Sequence, residues 1–124
     1  MTASLSFVQL TVRDLDAALA WYRTALGLSS SMREADSFAL LSAGATRLAL
    51  KKGTPSPGGV RLAFEVANLT EWVRGFVEAG GRLDGAMKVS AEGYRRVRVC
   101  DADGYEVSVF EWIEQGTDAE APTN

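Results

Sequence analysis

The chain has 124 residues (13.3 kDa), 47% of them apolar, with a single cysteine and no histidine. One domain with a real core fits that length; a disulfide framework, a histidine-activated nucleophile and a histidine-ligated metal are excluded. The net charge of −3 belongs to the tail: without Glu114, Asp118 and Glu120, 13 acidic residues (16 − 3) balance 13 basic ones, and so neutral a body argues against nucleic-acid binding.

Val8, Leu10 and Val12 alternate with Phe7, Gln9 and Thr11, which is strand period. Asp14 suits a helix N-cap. Leu15, Leu19, Tyr22 and Leu26 then carry helical spacing over residues 15–26, and Gly27 ends the element. Three strand-like pieces follow at about 28–33, 37–42 and 46–52, the last two joined by a turn at Ala43-Gly44-Ala45. Gly53-Thr-Pro-Ser-Pro-Gly-Gly59 reads as a linker.

The pattern then restarts. Leu62, Phe64 and Val66 form the apolar set of a strand, and Asn68-Leu-Thr-Glu71 has capping-box character, with Asn for the usual Ser or Thr. A second helix runs to about Ala79 and stops at Gly80-Gly81. Strands are expected at about 83–89, 94–100 and 105–112, with Asp103-Gly104 marking the last hairpin turn. The two copies lie 54 residues apart, counted from Gly27 to Gly81 (81 − 27). Such a repeat implies two copies of one supersecondary unit. The predicted fold is α+β: two tandem βαβββ modules forming a curved mixed sheet, a cup, with helices on its outer face. One domain spans residues 1–113, with module 1 at about 5–52, a linker at 53–59 and module 2 at about 60–113; residues 114–124 form a flexible acidic tail.

Thr11-Val-Arg-Asp-Leu-Asp-Ala-Ala-Leu-Ala-Trp-Tyr-Arg-Thr-Ala-Leu-Gly-Leu28 resembles the opening phrase of the vicinal oxygen chelate superfamily, which includes glyoxalases, extradiol dioxygenases and bleomycin-resistance proteins. Asp101-Ala-Asp-Gly-Tyr-Glu-Val-Ser-Val109 is similar to its closing phrase, and the likeness covers roughly residues 6–112. The resemblance implies a divalent metal held on four side chains. Carried over by position, these fall on Phe7, Ala49 (the least determined of the four), Arg61 and Ser108. Phe and Ala have no donor, Arg repels a cation, and a neutral hydroxyl is a weak ligand. An oxygen set of Gln9, Glu65 and Glu106 could substitute, but Arg61 in the same cup argues against it. No metal, cofactor or catalytic residue is therefore assigned.

Strand parity sends Phe7, Gln9, Lys51, Arg61, Glu65, Arg96, Arg98, Glu106, Ser108, Phe110 and Trp112 into the cup, with Thr11, Arg47, Ala49 and Ala63 among them. Aromatic surface with fixed cations suits a flat, partly apolar ligand bearing an acid group. Alternatives stand beside this. Arg96 and Arg98 could line an open wet edge, and Glu65 and Glu106 could satisfy the arginines internally. Trp112 could serve a dimer contact, Trp72 packing or an interface. Trp21 and Tyr22 are read as core, and Cys100 as a small buried residue.

The resemblance implies a metal-free relative of the bleomycin-resistance type that sequesters a small organic molecule, an antibiotic or an aromatic or acidic metabolite, as a homodimer. The alternative is a lyase or isomerase with an atypical site. No nucleic acid or membrane partner is expected. The lone cysteine and the lack of a signal-like N-terminus predict the cytoplasm.

Overall fold

The computed structural model describes residues 1–113; the acidic tail expected at 114–124 lies outside the described residues. The elements run β1 (Phe7–Val12), α1 (Leu15–Leu26), β2 (Ser29–Glu34), β3 (Phe38–Ala43), β4 (Thr46–Lys52), a 3-10 turn (Pro57–Gly59), β5 (Arg61–Glu65), α2 (Leu69–Glu78), β6 (Lys88–Val89), β7 (Tyr94–Cys100) and β8 (Glu106–Trp112). These are two tandem βαβββ modules. Each builds a four-stranded mixed sheet, ordered β1-β4-β3-β2 in the first and β5-β8-β7-β6 in the second. In both, the strand before the helix pairs parallel with the last strand of its module, and the remaining pairs are antiparallel.

The chain divides into two compact units, Met1–Gly59 with Asp101–Gly104, and Val60–Cys100 with Tyr105 onward. In the first, Asp14 caps α1 by accepting from the Ala17 N–H at 3.1 Å. Leu15, Ala18, Leu19 and Tyr22 are its buried stripe, at the i, i+3, i+4, i+7 spacing a core-facing helix needs. Leu10, Val12, Ala39, Leu41, Leu48 and Leu50 complete that core. Gly27 ends α1 at φ +70°, a conformation open to a residue without Cβ. The edge strand β2 is exposed throughout.

The closing phrase also belongs to this unit. The buried Tyr22 hydroxyl donates to Asp101 Oδ2 at 2.5 Å, and Asp101 Oδ1 accepts from the Asp103 N–H at 2.9 Å. Asp103 Oδ1 accepts from the Arg13 N–H at 3.0 Å. The Asp-Ala-Asp-Gly segment is thus a bolt made of side-chain acceptors and backbone donors, and its two aspartates are engaged structurally.

In the second unit Val97, Val99, Val107 and Val109 are fully buried on one sheet face. Helix α2 packs on β8, and Leu69 is its one buried residue. Asn68 caps it by accepting from the Glu71 N–H at 3.0 Å. The Glu71 carboxylate accepts from Arg74 at 2.8 Å, so the capping box is formed from its Asn68 side. Glu111 Oε1 accepts from the Leu69 N–H at 2.9 Å and fixes the helix start to the sheet.

Two expectations are corrected here. The strand read at about 83–89 is reduced to Lys88–Val89: Gly85 takes φ +95°, which interrupts extended backbone, and the Asp84 N–H bonds the Arg98 carbonyl at 2.7 Å. Cys100 is exposed, not buried, because it shares parity with Arg96 and Arg98 and not with Val97 and Val99. Tyr22 is core, as read from the helical spacing, and Trp72 is half-buried and stacks on Phe76 at 4.7 Å. Among the described residues no helix is long and apolar enough to cross a membrane.

Candidate functional site

One face of the second sheet is valine and lies against α2; the other is charged and aromatic. Register decides this. Arg61 is level with Glu106 and Ala63 with Ser108 across β5 and β8. Tyr94 is level with Trp112, Arg96 with Phe110, and Arg98 with Ser108 across β7 and β8. All nine of these side chains line one open cleft of about 390 Å³, a volume within the range of small-molecule sites.

The cleft has two ends. At one, Tyr94, Phe110 and Trp112 form a closed triangle, each pair of ring centroids 5.5 Å apart and the rings tilted or edge-on. These are favourable aromatic distances. Trp112 nevertheless stays 52% exposed. At the other end Glu106 Oε2 sits 3.1 Å from Arg61 Nε and 3.8 Å from Arg98 Nη1. One carboxylate therefore faces two guanidiniums, at a half-solvated site where such pairs contribute at most about 1 kcal/mol. Arg96 takes no part in that cluster and pairs with no carboxylate among the described residues. Counting Arg61, Arg96 and Arg98 against Glu106, the lining carries a formal charge of +2 (3 − 1). Ser108 forms part of the floor; it is 7% exposed and its hydroxyl bonds no described residue.

Eight of the residues read from sequence as cup-facing thus meet in this cleft: Arg61, Ala63, Arg96, Arg98, Glu106, Ser108, Phe110 and Trp112. Glu65 lies on the same face, level with Phe110, but is exposed beyond the lining. Phe7, Gln9 and Lys51 belong to the first module's sheet, where all three are exposed. Tyr94 was missed. It has the parity of Arg96 and Arg98, and continuing their alternation by one step would have found it.

The four positions that the family resemblance assigns to a metal do not fit one. Phe7 and Ala49 offer no donor atom, and Ala49 is fully buried. Arg61 brings a guanidinium engaged with Glu106, and Ser108 only a hydroxyl. Among the described residues no three His, Cys, Asp or Glu side chains come together to hold a metal ion.

A second cleft, of about 370 Å³, lies at the start of α1 in the first unit. Its charges are largely spent on one another. Arg33 contacts Asp16 at 2.8 Å, Asp36 at 3.5 Å and the Ala35 carbonyl at 2.7 Å, while Asp14 caps the helix. It offers a ligand less than the aromatic and cationic cleft does.

Residues 4–109 match the family model described as the Glyoxalase/Bleomycin resistance protein/Dioxygenase superfamily. No protein of curated function matches the sequence. Among solved structures, a lactoylglutathione lyase from Agrobacterium tumefaciens superposes with a TM-score of 0.74 at 20% identity, covering 89% of this chain and 94% of that one. A glyoxalase/bleomycin resistance protein/dioxygenase family enzyme from Burkholderia phytofirmans PsJN gives 0.78 at 20% identity, covering 90% and 100%. A glyoxalase-related enzyme from Fulvimarina pelagi gives 0.73 at 22% identity, covering 89% and 88%. At these identities the likeness is one of fold.

Proposed function

This chain belongs to the glyoxalase/bleomycin resistance protein/dioxygenase superfamily, and we propose that within it the protein binds and sequesters a small organic molecule without metal-dependent catalysis. The observation that carries the reading is Arg61: a permanent cation, already 3.1 Å from Glu106, stands where a metal ligand would be needed. A Lewis acid cannot be held beside it by a serine hydroxyl. What remains is a cleft with aromatic area and fixed positive charge, which binds but supplies no activated water. The lining charge of +2 also argues against a cationic drug such as bleomycin and for a neutral or anionic antibiotic or metabolite.

We place the protein in the cytoplasm as a homodimer with no nucleic-acid or membrane partner. The exposed thiol of Cys100 suits a reducing compartment. Native mass spectrometry of the purified full chain, before and after a chelator, tests the whole reading. A metal-free dimer retaining a small organic mass is the expected result. A stoichiometric divalent metal removed by the chelator would overturn it in favour of a lyase or isomerase, with Gln9, Glu65 and Glu106 as the side chains to mutate.

A further inference from the structure

We propose that the occupant of the second-module cleft is an aromatic carboxylate, its ring against the Tyr94–Phe110–Trp112 triangle and its carboxylate on Arg96 and the Ser108 hydroxyl; this rests on the sequestration reading above and narrows it to one ligand class. Three observations converge. The first is the difference among the arginines. Arg61 and Arg98 face Glu106 at 3.1 and 3.8 Å, whereas Arg96 has no carboxylate among the described residues. A guanidinium carries five donors in a planar fork that matches a carboxylate.

The second is Ser108. The residue is 7% exposed, and its hydroxyl is a donor that a ligand oxygen can use. It bonds no described residue and opens into the cleft. Ser108 is level with Arg98 and two residues from Phe110, which is level with Arg96. Ser108 therefore stands between the Glu106 cluster and the aromatic triangle, where an acid group joined directly to a ring would arrive. The third is the triangle itself, exposed through Trp112 at 52% although its rings are already mutually packed. Exposed aromatic area beside a free guanidinium suits a ring and its acid group together. A cleft of about 390 Å³ takes one or two fused rings, not an extended chain.

The test is isothermal titration of the full chain with sodium 1-naphthoate, 1-naphthamide and cyclohexanecarboxylate. The wild type should bind one naphthoate per chain, at least tenfold more tightly than the amide or the non-aromatic acid. Arg96→Gln should bring naphthoate and naphthamide to within about twofold of each other, while Arg74→Gln on the exposed face of α2 leaves the preference intact. Ser108→Ala should weaken naphthoate about threefold to tenfold with little effect on the amide, a selectivity a purely structural serine would not produce. Arg96→Lys, which keeps the charge and loses the fork, should fall between the two and serves if the glutamine variant does not fold. Equal affinity for acid and amide in the wild type overturns the ligand class, as does a preference that survives Arg96→Gln. Absence of binding by all three probes also overturns it, while the organic mass retained in native spectra decides the sequestration reading separately.

Discussion

Single side chains account for the most specific features of this molecule. Tyr22 and Asp101 are 79 positions apart in sequence and meet in a buried hydrogen bond of 2.5 Å. Asp101 also accepts from the Asp103 N–H, so its carboxylate serves at least these two donors. Tyr22→Phe removes one donor and should lower unfolding free energy by about 1–3 kcal/mol in urea titrations, since it leaves a buried acceptor short of a partner. Asp101→Ala removes the acceptor from both donors and should cost more than Tyr22→Phe. Equal or negligible losses would show that the closing phrase is not held in the way described. Neither substitution touches the cleft, so probe affinity should be unchanged in both variants. Ion pairing was partly legible at this scale: pairing of Glu106 with the arginines was one of two open readings, but which arginine it would leave over was not. That depends on register between strands, which sets Arg61 level with Glu106 and Arg98 one row away but Arg96 level with Phe110, and alternation along a single strand does not encode it.

Helix ends show how local sequence and packing divide the work. The end of α2 carries two consecutive glycines for two different reasons. Gly80 takes φ +98°, and its N–H bonds the Val77 carbonyl; the Gly81 N–H bonds the Phe76 carbonyl. This is a Schellman closure. Gly81 is needed for space: a Cβ there would come within 2.5–2.7 Å of three carbons of the Phe76 ring, itself stacked on Trp72. Gly80→Ala should cost about 1–2 kcal/mol through backbone strain. Gly81→Ala should cost about 1–3 kcal/mol through overpacking. Tryptophan fluorescence separates the mechanisms, since only Gly81→Ala displaces the Phe76 ring from Trp72 and should shift the emission. At the other end, Asn68→Ala should cost about 1 kcal/mol by removing the acceptor of the Glu71 N–H. The caps at Asp14 and Asn68 were readable because cap residues act on neighbours three positions away. The second module's first hairpin strand was not, since the apolar Leu83 and Met87 resemble a strand while Gly85 at φ +95° breaks it.

For the molecule as a whole, the proposals concern association and occupancy. The protein should sediment as two chains, and a monomer at micromolar concentration would remove the dimer from the proposal. Occupancy should be visible as stability: a ligand at a hundred times its dissociation constant adds about 2.7 kcal/mol to unfolding when it binds only the folded state. Naphthoate should therefore raise the thermal midpoint of the wild type and leave that of Arg96→Gln nearly unmoved.

The sequence by itself determined the repeat, the βαβββ order of each module, the helix bounds at residues 15–26, and the parity that separates valine from arginine along β7. All of these depend on neighbours within a few positions, or on one unit being copied. It also determined that Phe7, Ala49, Arg61 and Ser108 are not the usual metal-ligand types, because donor chemistry belongs to residue type and not to geometry. Only the tertiary structure decided that Glu106 sits between Arg61 and Arg98 and leaves Arg96 apart, that Tyr94 closes the aromatic triangle, and that Asp101 and Asp103 bolt onto Tyr22 and Arg13. Those outcomes depend on which side chains reach one another across strands and across up to 90 positions of chain, and such distances exist only once the backbone has folded.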